Sequence, residues 1–322
     1  MRLADLSWKV DALRCLVTGA AGFIGSHLSE TLVSRGDDVL GVDCFTDYYP
    51  RKLKLANLSV LRKNKRFRLV EADISSADLT PLIKGVDCVF HLAAQPGVRA
   101  SWGAGFGNYV KDNIVATQRV LEALRGGKTR KMVFASSSSV YGDAERLPTP
   151  EDAVPTPVSP YGVTKLTAEQ LCGVYSKNYG VPVVSLRFFT VYGPRQRPDM
   201  AFSRFVSGIL AGKEIEVFGD GTQGRDFTFV KDIVAGNVLA LDANPGTIYN
   251  VGAGKTIALN EVIATIESIV GRKARVRRRA NALGDVRNTS ADISRISRDL
   301  GYAPTTSLRE GLCQQVEAQV AR

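Results

Sequence analysis

Residues 14–45 read RCLVTGAAGFIGSHLSETLVSRGDDVLGVDCF, and their layout decides the fold. An apolar run over 14–17 leads into a glycine-rich turn. A helical pattern follows, with Ile24, Leu28, Leu32 and Val33 on one face. Gly36 is placed to stop that helix, and Val39 to Val42 form a second short apolar run closed by Asp43. Strand, helix, strand in this order is a βαβ unit. Within the turn, Gly19 permits the tight bend, Gly22 lets a pyrophosphate approach the backbone, and Gly25 lets the helix pack closely on the strand. The start of the helix then offers unpaired N–H groups and the positive end of its dipole to phosphates. Asp43 follows at the separation, about 20 residues, at which an acidic residue meets the ribose. It can accept both ribose hydroxyls of NAD, and its charge would repel the extra phosphate of NADP. NAD is therefore the expected cofactor.

Outward from this unit, apolar runs recur at FRLV (67–70), CVFHLA (88–93), MVFAS (132–136) and VPVVSLRFF (181–189), with helical patterns between them. That alternation predicts an α/β fold built on a Rossmann-type doubly wound parallel sheet. After about residue 190 the regularity fades. GPRQRPD (193–199) reads as a loop and FGDGTQGRDF (218–227) as a Gly-rich turn. The expected organisation is a NAD-binding domain over 1–190 and a smaller C-terminal α/β substrate-binding domain over 191–322. A segment near 229–253 is expected to return to the first domain.

A chain of 322 residues with 44% apolar content can bury a substantial core. No apolar stretch approaches the ~20 residues that span a bilayer. The opening MRLADLSWKVDAL carries Asp5, Lys9 and Asp11 where a signal peptide needs an unbroken apolar core. The five cysteines are scattered without a CxxC pair, which fits reduced thiols and neither a disulfide framework nor a metal site. A cytoplasmic protein with no membrane partner is expected. The net charge of +10 gathers largely between Arg272 and Arg279. No aromatic residue lies in that run to stack bases, so it reads as a solvated face rather than a nucleic-acid site. A basic surface also steers a small polyanion toward a cleft.

Further along, the run Met132 to Ala135 looks like a buried strand, yet it ends in four serines, Ser136 to Ser139. Downstream, SPYGVTK places Tyr161 and Lys165 four residues apart at the start of a helical pattern, on one face. A phenol of pKa ~10 is a poor base at neutral pH. A lysine ammonium and a cationic nicotinamide ring both favour the phenolate. A nucleotide-binding unit, a serine-capped strand and this pair together make an alcohol-oxidising constellation. Serine holds the substrate hydroxyl, tyrosine takes its proton, and hydride passes to NAD. Tyr141 has no lysine four residues on and is expected to pack.

TGAAGFIG, HLAAQPGVRAS, SSSSVYG, SPYGVTK, LRFFTVYGPRQRPDMA, GRDFTFVKDI and GDVRNTSADIS, in that order, resemble the extended short-chain dehydrogenase/reductase family. The likeness is strongest to its nucleotide-sugar epimerases, and within them to UDP-glucuronate 4-epimerases. It implies tightly held NAD, a UDP-sugar bound mainly by the C-terminal domain, and a homodimer. It also places Phe23, Ile24, Asp73, Ile74, Leu92, Ala93, Ala94 and Asn113 with the glycines and Asp43 at the cofactor. Ser137 joins Tyr161 and Lys165 in catalysis. Thr190 and Arg197 fall where uronate epimerases hold the sugar carboxylate, and Arg225 where a diphosphate contact is expected. Arg99, Phe218 and Asp285 complete the substrate set. Two positions depart from the pattern. Ala282 stands where many relatives carry a phosphate-binding Arg or Gln, with Arg279 or Arg287 as substitutes, and Cys44 replaces a frequent Asn.

The end of the serine strand also selects the reaction. Related 4,6-dehydratases carry an acid pair there, and UDP-glucuronate decarboxylases carry Glu where this chain has Ser139. Hydroxyls at Ser138 and Ser139 can hydrogen-bond a carboxylate that a Glu would repel. The 4-keto form of a uronate is a β-keto acid that loses CO₂ when its carboxylate bond aligns with the carbonyl. Three serines, Thr190 and a forked Arg197 are suited to hold it out of alignment. Epimerisation of UDP-glucuronate is the expected activity, with a UDP-hexose 4-epimerase or a UDP-glucuronate decarboxylase as alternatives.

Overall fold

The computed structural model describes residues 12–280 and 283–321. The N-terminal stretch over 1–11 and Ala282, both read above, lie outside them. In chain order the strands are β1 (Arg14–Thr18), β2 (Asp38–Asp43), β3 (Phe67–Glu71), β4 (Cys88–His91), β5 (Lys131–Ser137), β6 (Val183–Phe188) and β7 (Thr190–Tyr192). They continue as β8 (Glu214–Phe218), β9 (Gly224–Arg225), β10 (Phe227–Phe229), β11 (Ile248–Val251), β12 (Ile257–Ala258) and β13 (Arg275–Arg279).

Seven strands form one sheet in the order β11-β6-β5-β4-β1-β2-β3, every pair parallel. This is the doubly wound sheet read from the apolar runs. A parallel sheet covered on both faces needs strands that are apolar on both sides, and adjacent residues duly enter opposite cores. Cys15 and Val17 pack into one layer while Leu16 joins the other. Likewise Val133 and Ala135 face one layer, Met132 and Phe134 the other. The strand order reverses beside β1, between β1 and β4, and a ligand crevice opens at such a point above the carboxyl ends of the strands.

At that end of β1 the chain turns through Gly19, whose φ of +70° lies in the left-handed region that glycine favours. The helix Phe23–Ser34 follows with Leu28, Leu32 and Val33 buried and Ile24 packed at the edge of the same core. A side chain at Gly25 would place its Cβ 2.1 Å from the Gly19 carbonyl oxygen. Only glycine there lets the helix sit on the turn. The helix N-cap is Gly22, no side chain caps the first turn, and no acid occupies it. Its N–H groups are left for an anion.

Beyond β6 the smaller part of the molecule assembles. The strands β8 and β13 pair in parallel, with the helices Ala201–Leu210 and Leu259–Val270 packed nearby. The strand β11 pairs with β6 at the edge of the large sheet, so residues from this later stretch complete the first layer. The basic run forms β13, exposed along its length, with Arg277 and Arg279 paired to Glu214 and Glu216. It is a solvated strand face. All five cysteines are free. Among the described residues, no helix is long and apolar enough to cross a membrane.

Candidate active site

A cleft of about 400 Å³ runs over the carboxyl ends of the central strands. Gly19, Gly22, Phe23, Ile24, Gly25, Asp43, Asp73, Ile74, Leu92, Ala93 and Ala94 line one part of it, and Ser137, Ser138, Ser139, Tyr161, Lys165, Thr190 and Arg197 another. Tertiary structure thus gathers onto one surface residues that the sequence spreads over some hundred and eighty positions.

Asp43 closes β2 and is tied to the turn it faces. Its Oδ2 accepts from the Ala21 N–H at 3.0 Å and its Oδ1 from the Phe45 N–H at 2.8 Å. Each carboxylate oxygen keeps a lone pair for a hydroxyl. The glycine cradle, the uncapped helix start and this oriented acid together fit a dinucleotide, so the residues present suit NAD. Asp73 is held by Ser75 and Lys111 at the same rim. Asn113, expected against the cofactor, stands one layer behind. It is 1% exposed, accepts from the Gln95 N–H at 2.7 Å, and donates to Gln95 and to Thr164 Oγ1. Its local helix is a π-turn over Val110–Val115. Asn113 therefore fastens the loop after β4 to the helix that carries Tyr161.

That helix, Pro160–Tyr179, starts at Ser159, whose hydroxyl accepts from the Gly162 N–H at 3.1 Å. Proline at its first position suits the helix start. The helix meets the serine tract because Gly162 has no side chain: a Cβ there would lie 2.5 Å from the Ser139 carbonyl oxygen. Opposite, Ser137 ends β5, and its Oγ accepts from the Ser139 N–H at 3.1 Å. The hydroxyl proton of Ser137 is thereby left to donate into the cleft.

Tyr161 and Ser137 line the same cleft. Burial raises the Tyr161 phenol above its ordinary range, while the neighbouring Ser137 hydroxyl and the charge of Arg197 pull it down. Arg197 is thus one cation that bears on the phenol. Lys165 lies with its ammonium 4.6 Å from the centre of the Phe134 ring, and burial pushes it down to about 8. Behind the strand end, Ser136 Oγ donates to Glu169 at 2.6 Å, and Glu169 is ion-paired to Arg187 at 2.6 Å. Tyr141 packs as expected and donates to Asn250 at 2.7 Å. His91 is fully enclosed between Thr18 and Thr117 and is held down to about 3 by burial, so it is a neutral tie between layers.

Arg197 and Thr190 flank the serines. Arg197 donates through Nε and Nη2 to both oxygens of Asp199, each at 3.0 Å. Asp199 also accepts from Tyr48 at 3.3 Å, and the Tyr48 ring centre lies 5.7 Å from the guanidinium carbon. Neither Tyr48 nor Asp199 was picked out from the sequence, although an acid two residues past an arginine was a readable cue. The remaining substrate candidates form a second group. Arg99, which follows the cleft residues Gly97 and Val98, stacks 3.8 Å over Phe218 and pairs with Asp285 at 2.7 Å. Arg225 donates to the carbonyls of Val286 and Arg287. Arg279, on β13, is held by Glu216 of β8.

Residues 15–252 match the model of the NAD dependent epimerase/dehydratase family. The chain is 48% identical over 308 residues to the uncharacterized UDP-glucose epimerase YtcB of Bacillus subtilis, covering 94% of this chain and 97% of that one. It is 41% identical over 306 residues to UDP-glucuronate 4-epimerase of Thermodesulfobacterium geofontis, covering 94% of each. The crystal structure of UDP-glucuronic acid 4-epimerase from Bacillus cereus, in complex with UDP-glucuronic acid and NAD, superposes with a TM-score of 0.93 at 44% identity. That match covers 96% of this chain and 100% of the other.

Proposed function

The chain belongs to the NAD-dependent epimerase/dehydratase family, and we propose that it is a UDP-glucuronate 4-epimerase, an isomerase interconverting UDP-glucuronate and UDP-galacturonate with NAD. One observation carries the choice of substrate. Arg197 lines the same cleft as Ser137, Tyr161 and Thr190, and Ser138 and Ser139 supply hydroxyls there with no acid adjacent in the sequence. That set of side chains suits an anionic sugar.

Residues 1–190, with the stretch that returns through β11, hold the cofactor in this reading, and 191–322 hold most of the nucleotide sugar. When bound, NAD supplies the hydride acceptor and donor at C4. Ser137 donates to the sugar 4-hydroxyl and fixes its direction. Tyr161 takes the hydroxyl proton as C4 is oxidised and returns it after the keto sugar has turned over. Lys165 adds positive charge near the phenol and a donor for the cofactor ribose. Arg197, Thr190, Ser138 and Ser139 keep the carboxylate of the β-keto acid out of line with its carbonyl. Arg99, Phe218, Arg225 and Asp285 serve the nucleotide.

A UDP-hexose 4-epimerase is the second reading, supported by the UDP-glucose epimerase among the relatives. Incubation with UDP-glucuronate and UDP-glucose, followed by NMR for C4 inversion and CO₂, separates the two. Inversion of UDP-glucuronate without net NADH is expected, and inversion of UDP-glucose alone would refute the uronate reading. The protein is assigned to the cytoplasm and to a homodimer. The latter rests on half-exposed Phe106, Val115, Val163, Val174 and Tyr179 along the paired helical segments 106–124 and 160–179.

A further inference from the structure

The loop that carries Arg197 is held in place from both sides. His27, kept neutral by burial that brings it down to about 4, donates to the Pro194 carbonyl at 2.9 Å. Glu30 pairs with Arg195 at 2.7 Å, and Arg195 sits at a φ of +65°. From the other side, Gln315 accepts from the Gly193 N–H at 2.9 Å and donates to Gln196 Oε1, which also accepts from the Ser203 N–H. The backbone of the loop is therefore set, and the direction of the Arg197 side chain depends on what its guanidinium meets.

A guanidinium has two edges that can take a carboxylate side by side: Nε with Nη2, and Nη1 with Nη2. Asp199 occupies the first edge completely, with both bonds at 3.0 Å. Tyr48, which reaches across from the loop after β2, donates to the same carboxylate. Arg197 is only 18% exposed, and Asp199 38%.

We propose that Asp199, braced by Tyr48, is the positioning residue that turns Arg197 into a carboxylate clamp of fixed direction, leaving only its Nη1/Nη2 edge for the sugar. This rests on the uronate reading above and extends it to partition between products. Asp199 cancels part of the charge of Arg197 and so adds little to substrate affinity. What it adds is angle. A guanidinium free to swing could still bind a uronate, but it would follow the carboxylate into the rotamer that releases CO₂. Asp199 thereby favours return of the keto sugar over its decarboxylation.

The test uses the full chain carrying NAD, with Asp199→Ala, Asp199→Asn, Tyr48→Phe, Arg197→Ala and the Asp199→Ala/Arg197→Ala double variant. UDP-glucuronate is the substrate, with inversion and CO₂ measured together and melting temperature and NAD content as controls. Asp199→Ala is expected to raise the ratio of CO₂ to inversion roughly five- to tenfold, with a smaller change in KM. Asp199→Asn keeps one acceptor and should fall between, and Tyr48→Phe should shift the ratio least. In the Arg197→Ala background, Asp199→Ala should add nothing, because its effect passes through that guanidinium. A wild type that does not turn over UDP-glucuronate would refute the uronate reading. A wild type that does, with an unchanged ratio in Asp199→Ala or an equal further change in the double variant, would overturn the role of Asp199 alone.

Discussion

The tyrosine proposed as the base, Tyr161, is partly buried at the cleft, and its effectiveness depends on nearby donors and charge. Burial raises the Tyr161 phenol, and every unit of rise lowers the deprotonated fraction at neutral pH about tenfold. Arg197 opposes that rise. Its removal should therefore move the ascending limb of the kcat/KM profile to higher pH. A neutral UDP-hexose is the substrate for this measurement, since loss of a carboxylate contact then plays no part. A limb that stays in place would show that the cation does not tune the phenol. With UDP-glucuronate, Arg197→Ala should lose about 10- to 100-fold more than with the neutral sugar, the size of one desolvated charge-assisted pair. Tyr161→Phe should abolish turnover on either sugar while NAD stays bound. Retention of more than a few per cent of the rate would remove Tyr161 from the mechanism.

Between residue and molecule stand the elements that bring Ser137 and Tyr161 together, and their fastening is a buried ion pair. Glu169 lies on the helix of Tyr161 one turn past Lys165, accepts from Ser136 at the end of β5, and grips Arg187 on β6. The two side chains are 3% and 4% exposed. Glu169→Gln would leave a guanidinium buried without its anion, at a cost of about 3–5 kcal/mol. The urea midpoint should fall accordingly, and activity should fall with it as the strand end and helix lose their register. An unchanged midpoint would mean the pair is solvated in solution. None of this fastening was legible in the sequence, because Glu169 and Arg187 meet only once β6 is seated beside β5. The same holds for Tyr48 and Asp199, which come from loops 151 residues apart. What could be read was local. Parallel strands buried on both faces write themselves as continuous apolar runs. The turn after β1 demands glycine, and a helix puts Tyr161 and Lys165 on one side by spacing alone. Asn113 is expected at the cofactor because family likeness carries a residue type, whereas the π-turn that sets its local direction is a product of packing.

At the scale of the whole molecule, the helical segments 106–124 and 160–179 lie side by side with their outer face uncovered. They are locked to each other by Gln118 and Glu122 bonding the Tyr175 hydroxyl at 3.0 and 2.8 Å, so the face is rigid. Phe106, Val115, Val163, Val174 and Tyr179 are each between 39% and 52% exposed on these segments, and Trp102 and Val158 extend the patch through a groove floored by Pro157 and Pro160. Full burial of such a side chain is worth about 1.5–3 kcal/mol, so covering the exposed half yields roughly 1 kcal/mol each. Two copies bring the patch together twice, for roughly 14 kcal/mol against the ~4–15 kcal/mol that association costs. The burial is thus of the same order as the cost of association, and a symmetric dimer sealed by this face is the assembly we propose. Val174→Glu, one residue in the middle of the face and remote from the cleft, places a charge where two copies would have to bury it. Sedimentation of the wild type at ten micromolar should report a dimer, and Val174→Glu should report a monomer with an unchanged circular dichroism spectrum. A wild type that sediments as a monomer, or a variant that remains dimeric, would place the contact elsewhere.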